Sequence, residues 1–267
     1  MIIRSAALNV MTKAAQKAGR ALVRDFGEVE QLQVSRKGPA DFVSTADRKA
    51  EKILREELLK ARPDYSLLME EEGVHEGADP DHRFIIDPLD GTTNFLHGLP
   101  HWAISIGLEA RGEIIAGVIY DPIKDELFWA EKGKGAYVND RRIRVSGRQK
   151  LTDAVVATGI PHLGLQEGEG QAQFLRRLEQ AMGSCAGLRR WGTASLDLAY
   201  VAAGRYDAFW ERGLNPWDVA AGIVIVREAG GFVLDTKGRA YGFESPDIVA
   251  LNAHLQKPVL EMLRAAG

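Results

Sequence analysis

Two aspartates three residues apart close an apolar run in the segment Phe84-Ile85-Ile86-Asp87-Pro88-Leu89-Asp90-Gly91-Thr92-Thr93-Asn94-Phe95. The three apolar residues predict a short buried strand over Arg83–Ile86. Pro88 fixes its own φ and is expected to stop it. Asp87 and Asp90 then converge at the end of a sheet instead of alternating across it. Gly91 lets the backbone approach a ligand closely. Thr92 and Thr93 predict the start of a short helix whose free N–H groups face an anion. Hard oxygen ligands beside an anion-binding backbone suit Mg²⁺, which prefers oxygen and keeps several waters. Two such ions clamp a phosphoryl group and activate water. Asp-Pro-x-Asp-Gly is equally a common turn composition, so the segment alone leaves both readings open.

Other acids need the same two-sided treatment. Glu70-Glu71-Glu72 follows a predicted strand, Tyr65–Met69, and reads either as a ligand source or as a solvated turn. Asp218 falls in the first turn of a predicted helix over Pro216–Ala229, where a carboxylate also serves the helix dipole. Asp47 is open to the same reading near the start of a helix capped at Ser44 or Thr45. Glu211 ends a predicted strand, Asp207–Glu211, and has Arg212 beside it as a surface partner.

The elements that must position these side chains divide by pattern. Leu8, Met11, Ala15, Ala18 and Leu22 recur at helical steps, with Gly27 as the stop. A strand over Val29–Ser35 and a loop, Lys37-Gly38-Pro39-Ala40, are expected next. Ala50, Ile53, Leu54 and Leu58 form the face of a second helix that Pro63 ends. Ala103–Leu108, Glu113–Tyr120 and Glu126–Ala130 read as strands joined by turns at Arg111-Gly112 and Asp121-Pro122. After about residue 150 strands and helices alternate. Ala154–Thr158 is a strand; Gln171–Met182 is a helix turning Phe174, Leu175 and Leu178 inward. A helix carrying Leu196, Ala199, Tyr200 and Ala203, a strand over Asp247–Asn252 and a last helix complete the pattern. This predicts an α/β protein of stacked layers, with one part over 1–150 and a second over 151–267.

The chain has 267 residues, 45% hydrophobic and 27% charged, with a net charge of -3. That is enough to bury a large core. The charge supplies no global basic field for direct nucleic-acid binding. The single Cys185 forms no intramolecular disulfide and reads as an inert packed thiol, which fits a reducing compartment. No signal peptide or membrane span is expected, so the predicted location is cytoplasmic. No histidine pair has zinc spacing, and neither a Gly-x-Ser-x-Gly elbow nor a Walker loop is present. His97 and His101 match no ligand position, and Lys37 reads as a solvated loop lysine.

Four stretches in order carry a resemblance. Asp87-Pro88-Leu89-Asp90-Gly91-Thr92-Thr93-Asn94-Phe95 resembles the signature of the inositol monophosphatase family. Asp41-Phe42-Val43-Ser44-Thr45-Ala46-Asp47, Glu70-Glu71-Glu72-Gly73 and Pro216-Trp217-Asp218-Val219-Ala220-Ala221-Gly222 are similar to its other motifs, with Glu72 where the family has Ser. The stretch Arg189–Tyr200 resembles the bacterial branch. The resemblance implies an αβαβα sandwich of the metal-dependent sugar phosphatase superfamily. It implies hydrolysis of small sugar or polyol phosphates, first inositol 1-phosphate, with two or three Mg²⁺ ions. Glu70, Asp87 and the Leu89 carbonyl would hold one ion; Asp87, Asp90 and Asp218 a second; a third would lie near Glu70. Thr92, bonded to Asp47, would orient the attacking water, and the Gly91 and Thr92 amides would hold phosphate. Glu71 is read as supporting a ligand and Glu72 as solvated. Gly192, Thr193, Ala194 and Glu211 would line the sugar, beside Asp90 and Asp218. A homodimer and lithium sensitivity are implied as well. Fructose 1,6-bisphosphate, histidinol phosphate and 3′-phosphoadenosine nucleotides are the competing substrates. One bacterial family member acts in ribosomal transcription antitermination through RNA polymerase partners, which implies a second, non-enzymatic class of role.

Overall fold

The computed structural model describes residues 4–28, 34–38, 41–160 and 169–266, with backbone alone at 34–38, 41–43 and 169. Helix α1 (Ala6–Phe26) buries Leu8, Met11, Ala15, Ala18 and Leu22, the stripe the spacing predicts. Ser5 caps it by accepting from the Leu8 amide at 3.2 Å. Gly27 ends it, but at φ -71, so the stop uses no left-handed turn. Strands β1 (Val34–Gly38) and β2 (Asp41–Ser44) form an antiparallel pair. Most of the expected Val29–Ser35 strand, over 29–33, lies outside the described residues. Lys37 and Gly38 belong to β1 instead of a loop, and 39–40 are again outside. Helix α2 (Thr45–Ala61) starts at the Ser44 cap and stops before Pro63. It lies beside α1 and buries Ala50, Leu54 and Leu58.

An eight-stranded sheet follows, in the order β10-β9-β8-β7-β6-β5-β3-β4. Its strands are β3 (Ser66–Met69), β4 (Gly73–His75), β5 (His82–Asp90), β6 (Ala103–Ala110), β7 (Glu113–Asp121), β8 (Glu126–Glu131), β9 (Gly135–Val138) and β10 (Arg141–Ile143). All neighbours are antiparallel except β3 and β5. The one-turn helix α3 (Thr92–Leu96) joins β5 to β6. Pro88 does not stop β5, which runs on to Asp90 with a register shift against β6 between Asp87 and Asp90. Proline is tolerated at a bulge because the ladder is already broken there. The one extra residue lets two acids leave the strand end together.

A mixed five-stranded sheet, β12-β11-β13-β15-β14, closes the chain. Its elements in sequence are β11 (Val155–Thr158), α4 (Glu169–Met182), β12 (Gly187–Arg189), α5 (Ala194–Ala202), β13 (Ala208–Arg212), α6 (Pro216–Glu228), β14 (Phe232–Leu234), β15 (Asp247–Leu251) and α7 (Gln256–Ala265). Helix α5 is buried along its whole length and α6 over Val219–Val226, as a layer between two sheets requires. They share one core with Ile85, Ile119 and Phe128 of the first sheet and Phe209, Ile248 and Ala250 of the second. A second core joins α1 and α2 to the outer face of the large sheet, and a third joins α7 and Ala181 of α4 to the small one. The layers therefore run α-β-α-β-α. One inward residue on α4 is misread in the sequence: Leu175 is exposed, and Arg177 is buried in its place, its Nε donating to the Leu263 carbonyl.

Candidate functional site

The parallel pairing of β3 with β5 sets Met69 opposite Ile86, so Glu70 emerges beside Asp87. The Glu70 amide donates to the Ile86 carbonyl at 3.3 Å. The Glu70 and Asp87 carboxyls lie within hydrogen-bond reach of each other. Burial, then the charges of Glu70, Asp90 and Asp218, hold Asp87 well above the usual carboxylate range. The buried Leu89 donates its amide to Asp87 Oδ1 at 2.9 Å. Asp90, past the bulge, accepts the Ser195 amide on Oδ2 at 2.7 Å. It is thereby tied to the first turn of α5. Burial pushes Asp90 up to about 6, and the Ser195 and Ala194 donors oppose this.

Asp218 reaches the same place from the other side of the molecule. Asn215 and Asp218 form a capping box at the start of α6, with the Asn215 amide on Asp218 Oδ2 at 2.6 Å. Ser105, opposite Asp87 across β5 and β6, donates its hydroxyl to the Trp217 carbonyl at 3.2 Å and anchors that turn. Burial, then the charge of Asp90, holds Asp218 well above its ordinary range, and Glu70 and Glu211 add to it.

Thr92 opens α3. Its hydroxyl is within 3.0 Å of both Asp47 Oδ1 and the Leu89 carbonyl. Asp47 is fully buried on α2 and also accepts from the Ser44 amide at 2.9 Å and the Ser44 hydroxyl at 2.5 Å. Burial raises its pKa and these hydrogen bonds oppose the rise. Gly91, at φ 94, is the left-handed residue before the helix. A Cβ there would stand 2.6 Å from Thr193 Oγ1, so only glycine lets the signature turn close on the Gly192-Thr193-Ala194 loop. Asn94 clamps the same joint by donating to the carbonyls of His101 at 2.8 Å and Trp191 at 2.7 Å.

Glu211 lies at the end of β13. Burial pushes it up to about 8, the charge of Asp90 adds to this, and Arg190 opposes it. It does not pair with Arg212, which bonds Gln173 at 3.1 Å. Any side chain at Gly159 would collide with the Glu211 carboxyl. Sequence reasoning passes over this glycine; its place directly after the strand Val155–Thr158 is the available signal. Two buried acids are also missed. Glu51, one turn beyond Asp47, accepts the Glu71 and Glu72 amides at 2.9 and 2.8 Å. Asp197 is 1% exposed and neither of its oxygens has a hydrogen-bond partner. Burial, then Glu211 and Asp90, holds it well above its ordinary range. Both read in sequence as ordinary helix acids. Among the remaining expectations, Glu72 is exposed and pairs with Arg55 at 2.8 Å. His97 is exposed and His101 is buried. The Lys37 side chain lies outside the described residues. Cys185 is half-buried, with its thiol donating to the Ala181 carbonyl at 3.0 Å.

The charges of Glu70, Asp90 and Asp218 thus raise the proton affinity of Asp87, and those of Asp90, Glu70 and Glu211 raise that of Asp218. Among the described residues no three His, Cys, Asp or Glu side chains close as a preformed cation cage. An open set of carboxylates suits Mg²⁺, which takes one or two protein carboxylates and completes its octahedron with water and substrate. A divalent cation would also relieve the repulsion among buried acids, so the residues present fit such an ion.

A model described as the inositol monophosphatase family matches residues 4–266. The chain is 57% identical over 261 residues to the inositol-1-monophosphatase of Rhizobium meliloti, covering 98% of this chain and 97% of that one. It is 44% identical to the Nus factor SuhB of Pseudomonas aeruginosa, over 96% of this chain and 95% of the relative. The crystal structure of the extragenic suppressor protein suhB from Bartonella henselae superposes with a TM-score of 0.94 at 59% identity, covering 97% and 99% of the two chains.

Proposed function

Because the chain belongs to the inositol monophosphatase family, a family of phosphoric monoester hydrolases, we propose that it hydrolyses small sugar or polyol phosphates with Mg²⁺, inositol 1-phosphate first. The observation that carries this reading is the convergence of Glu70, Asp87, Asp90 and Asp218 beside the Thr92–Asp47 pair. Glu70, Asp87 and the Leu89 carbonyl would hold one ion, and Asp87, Asp90 and Asp218 another, with a third near Glu70. When bound, Mg²⁺ would supply positive charge to the phosphoryl oxygens and make water acidic enough to give up a proton as it attacks phosphorus.

The chain's own groups do the rest. The Thr92 hydroxyl has one proton and two acceptors within reach. With that proton directed to Asp47 Oδ1, its lone pairs face an incoming water and orient it. The proton released by the water passes to Thr92 Oγ1 as the Thr92 proton moves to Asp47. Buried and raised in pKa, Asp47 is suited to receive it. The amides of Gly91 and Thr92, at the start of α3, hold phosphate oxygens. Glu211 and the Gly192-Thr193-Ala194 loop receive the hydroxyl-bearing part of the substrate. No covalent phosphoenzyme is required. The protein acts as a homodimer in the cytoplasm and is inhibited by lithium.

The test is phosphate release from inositol 1-phosphate, fructose 1,6-bisphosphate, histidinol phosphate and 3′-phosphoadenosine-5′-phosphate, each with magnesium and with EDTA. Release from inositol 1-phosphate that EDTA abolishes is the expected result. Folded protein inert on all four would defeat the substrate assignment. A second reading, as a partner of RNA polymerase in transcription antitermination, is favoured by the similarity to the Pseudomonas Nus factor and by the exposure of Arg189, Arg190 and Trp191. Capture of the polymerase from extract by the wild-type and Asp90→Asn proteins alike would support it, and failure of both to capture it would remove it.

A further inference from the structure

We propose that Glu51 is a positioning residue for the candidate ligand Glu70, acting through the backbone of the acidic turn that follows it. Glu51 and Asp47 are one helical turn apart on the same face of α2, and both are fully buried. Asp47 meets the signature helix through Thr92. Glu51 meets the other acid-bearing segment: Oε2 accepts the Glu71 amide at 2.9 Å and Oε1 accepts the Glu72 amide at 2.8 Å. A further turn along, Arg55 pairs with the Glu72 side chain at 2.8 Å. One helix thus holds both halves of the candidate site in register.

Stability alone does not account for a carboxylate here. Burying an acid is costly, and the neighbouring charges of Glu71 and Glu72 add to that cost. Among the described residues Glu51 forms no ion pair. What the carboxylate uniquely offers is two acceptor oxygens in one plane, matched to two consecutive N–H donors. A glutamine has one acceptor and would turn its own donor toward the second amide. Ahead of the turn, the Glu70 amide is fixed on the Ile86 carbonyl at 3.3 Å. Behind it, Gly73 at φ 76 reverses the chain into β4. Glu70 is therefore bracketed by a ladder bond on one side and the Glu51 clasp on the other, with its carboxyl held against Asp87. Glu51 touches neither the phosphate nor the ion; it sets the angle from which Glu70 reaches them.

The inference rests on Glu70 being a magnesium ligand, and its test separates the two ideas. Magnesium is titrated calorimetrically into the substrate-free protein, as wild type, Glu51→Gln, Glu70→Gln and Glu72→Ala. Loss of an outer hydrogen-bonding partner weakens metal sites by about 10–100-fold. Glu51→Gln is expected to raise the magnesium Kd about tenfold, while kcat at saturating magnesium and KM for the phosphate ester stay within about twofold. Glu72→Ala keeps its amide and should bind magnesium as the wild type does. Amide hydrogen exchange at Glu71 and Glu72 should be slow in the wild type and faster in Glu51→Gln. Wild-type magnesium affinity in Glu51→Gln, with Glu70→Gln impaired, overturns the positioning role alone. Unchanged binding in Glu70→Gln overturns the ligand assignment and this inference with it. Should Glu51→Gln melt before titration, exchange in the wild-type chain decides: unprotected Glu71 and Glu72 amides overturn the clasp.

Discussion

At the scale of single residues the site is a balance of buried charge. Asp90 accepts an amide from α5 through one oxygen, and asparagine can keep that bond with its carbonyl while giving up the negative charge. Asp90→Asn is therefore expected to fold normally by circular dichroism and to lose hydrolysis on the order of a hundredfold or more, the upper end of what disturbing a metal site's surroundings costs. Substantial activity with ordinary magnesium dependence would count against Asp90 as a ligand. His101 carries a prediction about pH. It is 6% exposed, its Nε2 has no partner, and burial followed by the charge of Lys124 pushes it down to about 4 from 6.5. The fold therefore binds the neutral ring. Its contribution is complete above pH 6.5, is lost as pH falls from there toward 4, and changes no further below that. The shift corresponds to about 3 kcal/mol. His101→Gln keeps the carbonyl that Asn94 and Thr193 use, so urea melts from pH 7 to 4.5 should show a shallower loss of stability than the wild type. Parallel curves would show that the ring is not held neutral.

At the scale of elements, most of the α/β order is legible because periodicity reports burial. The stripe of α1 and the apolar run of β6 are examples. Strands of three or four residues leave too few positions for a pattern, so β9 and the edge strands β4, β10, β12 and β14 are missed. Read locally, Pro88 is a stop, whereas the sheet admits it at a bulge. Leu175 and Arg177 trade places because hydrophobicity alone does not show that Arg177 finds the Leu263 carbonyl and Asp247. The acids of the motifs were legible by type. Glu51, Asp197 and Gly159 were not, because their meaning lies in what the fold sets opposite them. Gly107 and Gly117 belong with these. They are paired across β6 and β7 and form a floor on which α6 lies. A Cβ at Gly117 would stand 2.6 Å from the Ala221 carbonyl oxygen, and one at Gly107 2.7 Å from the Ala220 Cβ. An alanine Cβ moves only with its backbone, so neither contact is relieved by a rotamer change, and the Gly117 Cβ would also stand 2.8 Å from both the Ala221 Cα and the Val224 Cγ1. Gly117→Ala should thus cost about 1–3 kcal/mol by overpacking, and more than Gly107→Ala. Thermal melts of the two variants check the order, and wild-type midpoints in both would mean that α6 is free to lift off the sheet.

At the scale of the molecule, the candidate ligands come from parts of the chain far apart in sequence. Glu70, Asp87 and Asp90 leave the end of the large sheet, while Asp218 starts a helix that belongs to the second half of the chain yet packs on that same sheet. Bringing these acids together raises the free energy of the fold, since Asp87, Asp90 and Asp218 are desolvated and Asp87 and Asp218 also feel the charge of Glu70. An ion that binds only the folded arrangement reverses this term, and mass action makes the gain depend on its concentration: about 2.7 kcal/mol at a hundredfold excess over Kd. Magnesium should therefore raise the melting temperature by several degrees for a chain of this length. EDTA should remove the rise, and Asp90→Asn should show a smaller one while melting no lower than the wild type without metal, because one repelling charge is gone. Differential scanning calorimetry across a magnesium series measures all three. A wild-type midpoint indifferent to magnesium would mean that the acids do not gather around the ion. The repulsion would then have to be met by protonation, and the midpoint would instead climb as the pH is lowered through the raised carboxyl pKa values.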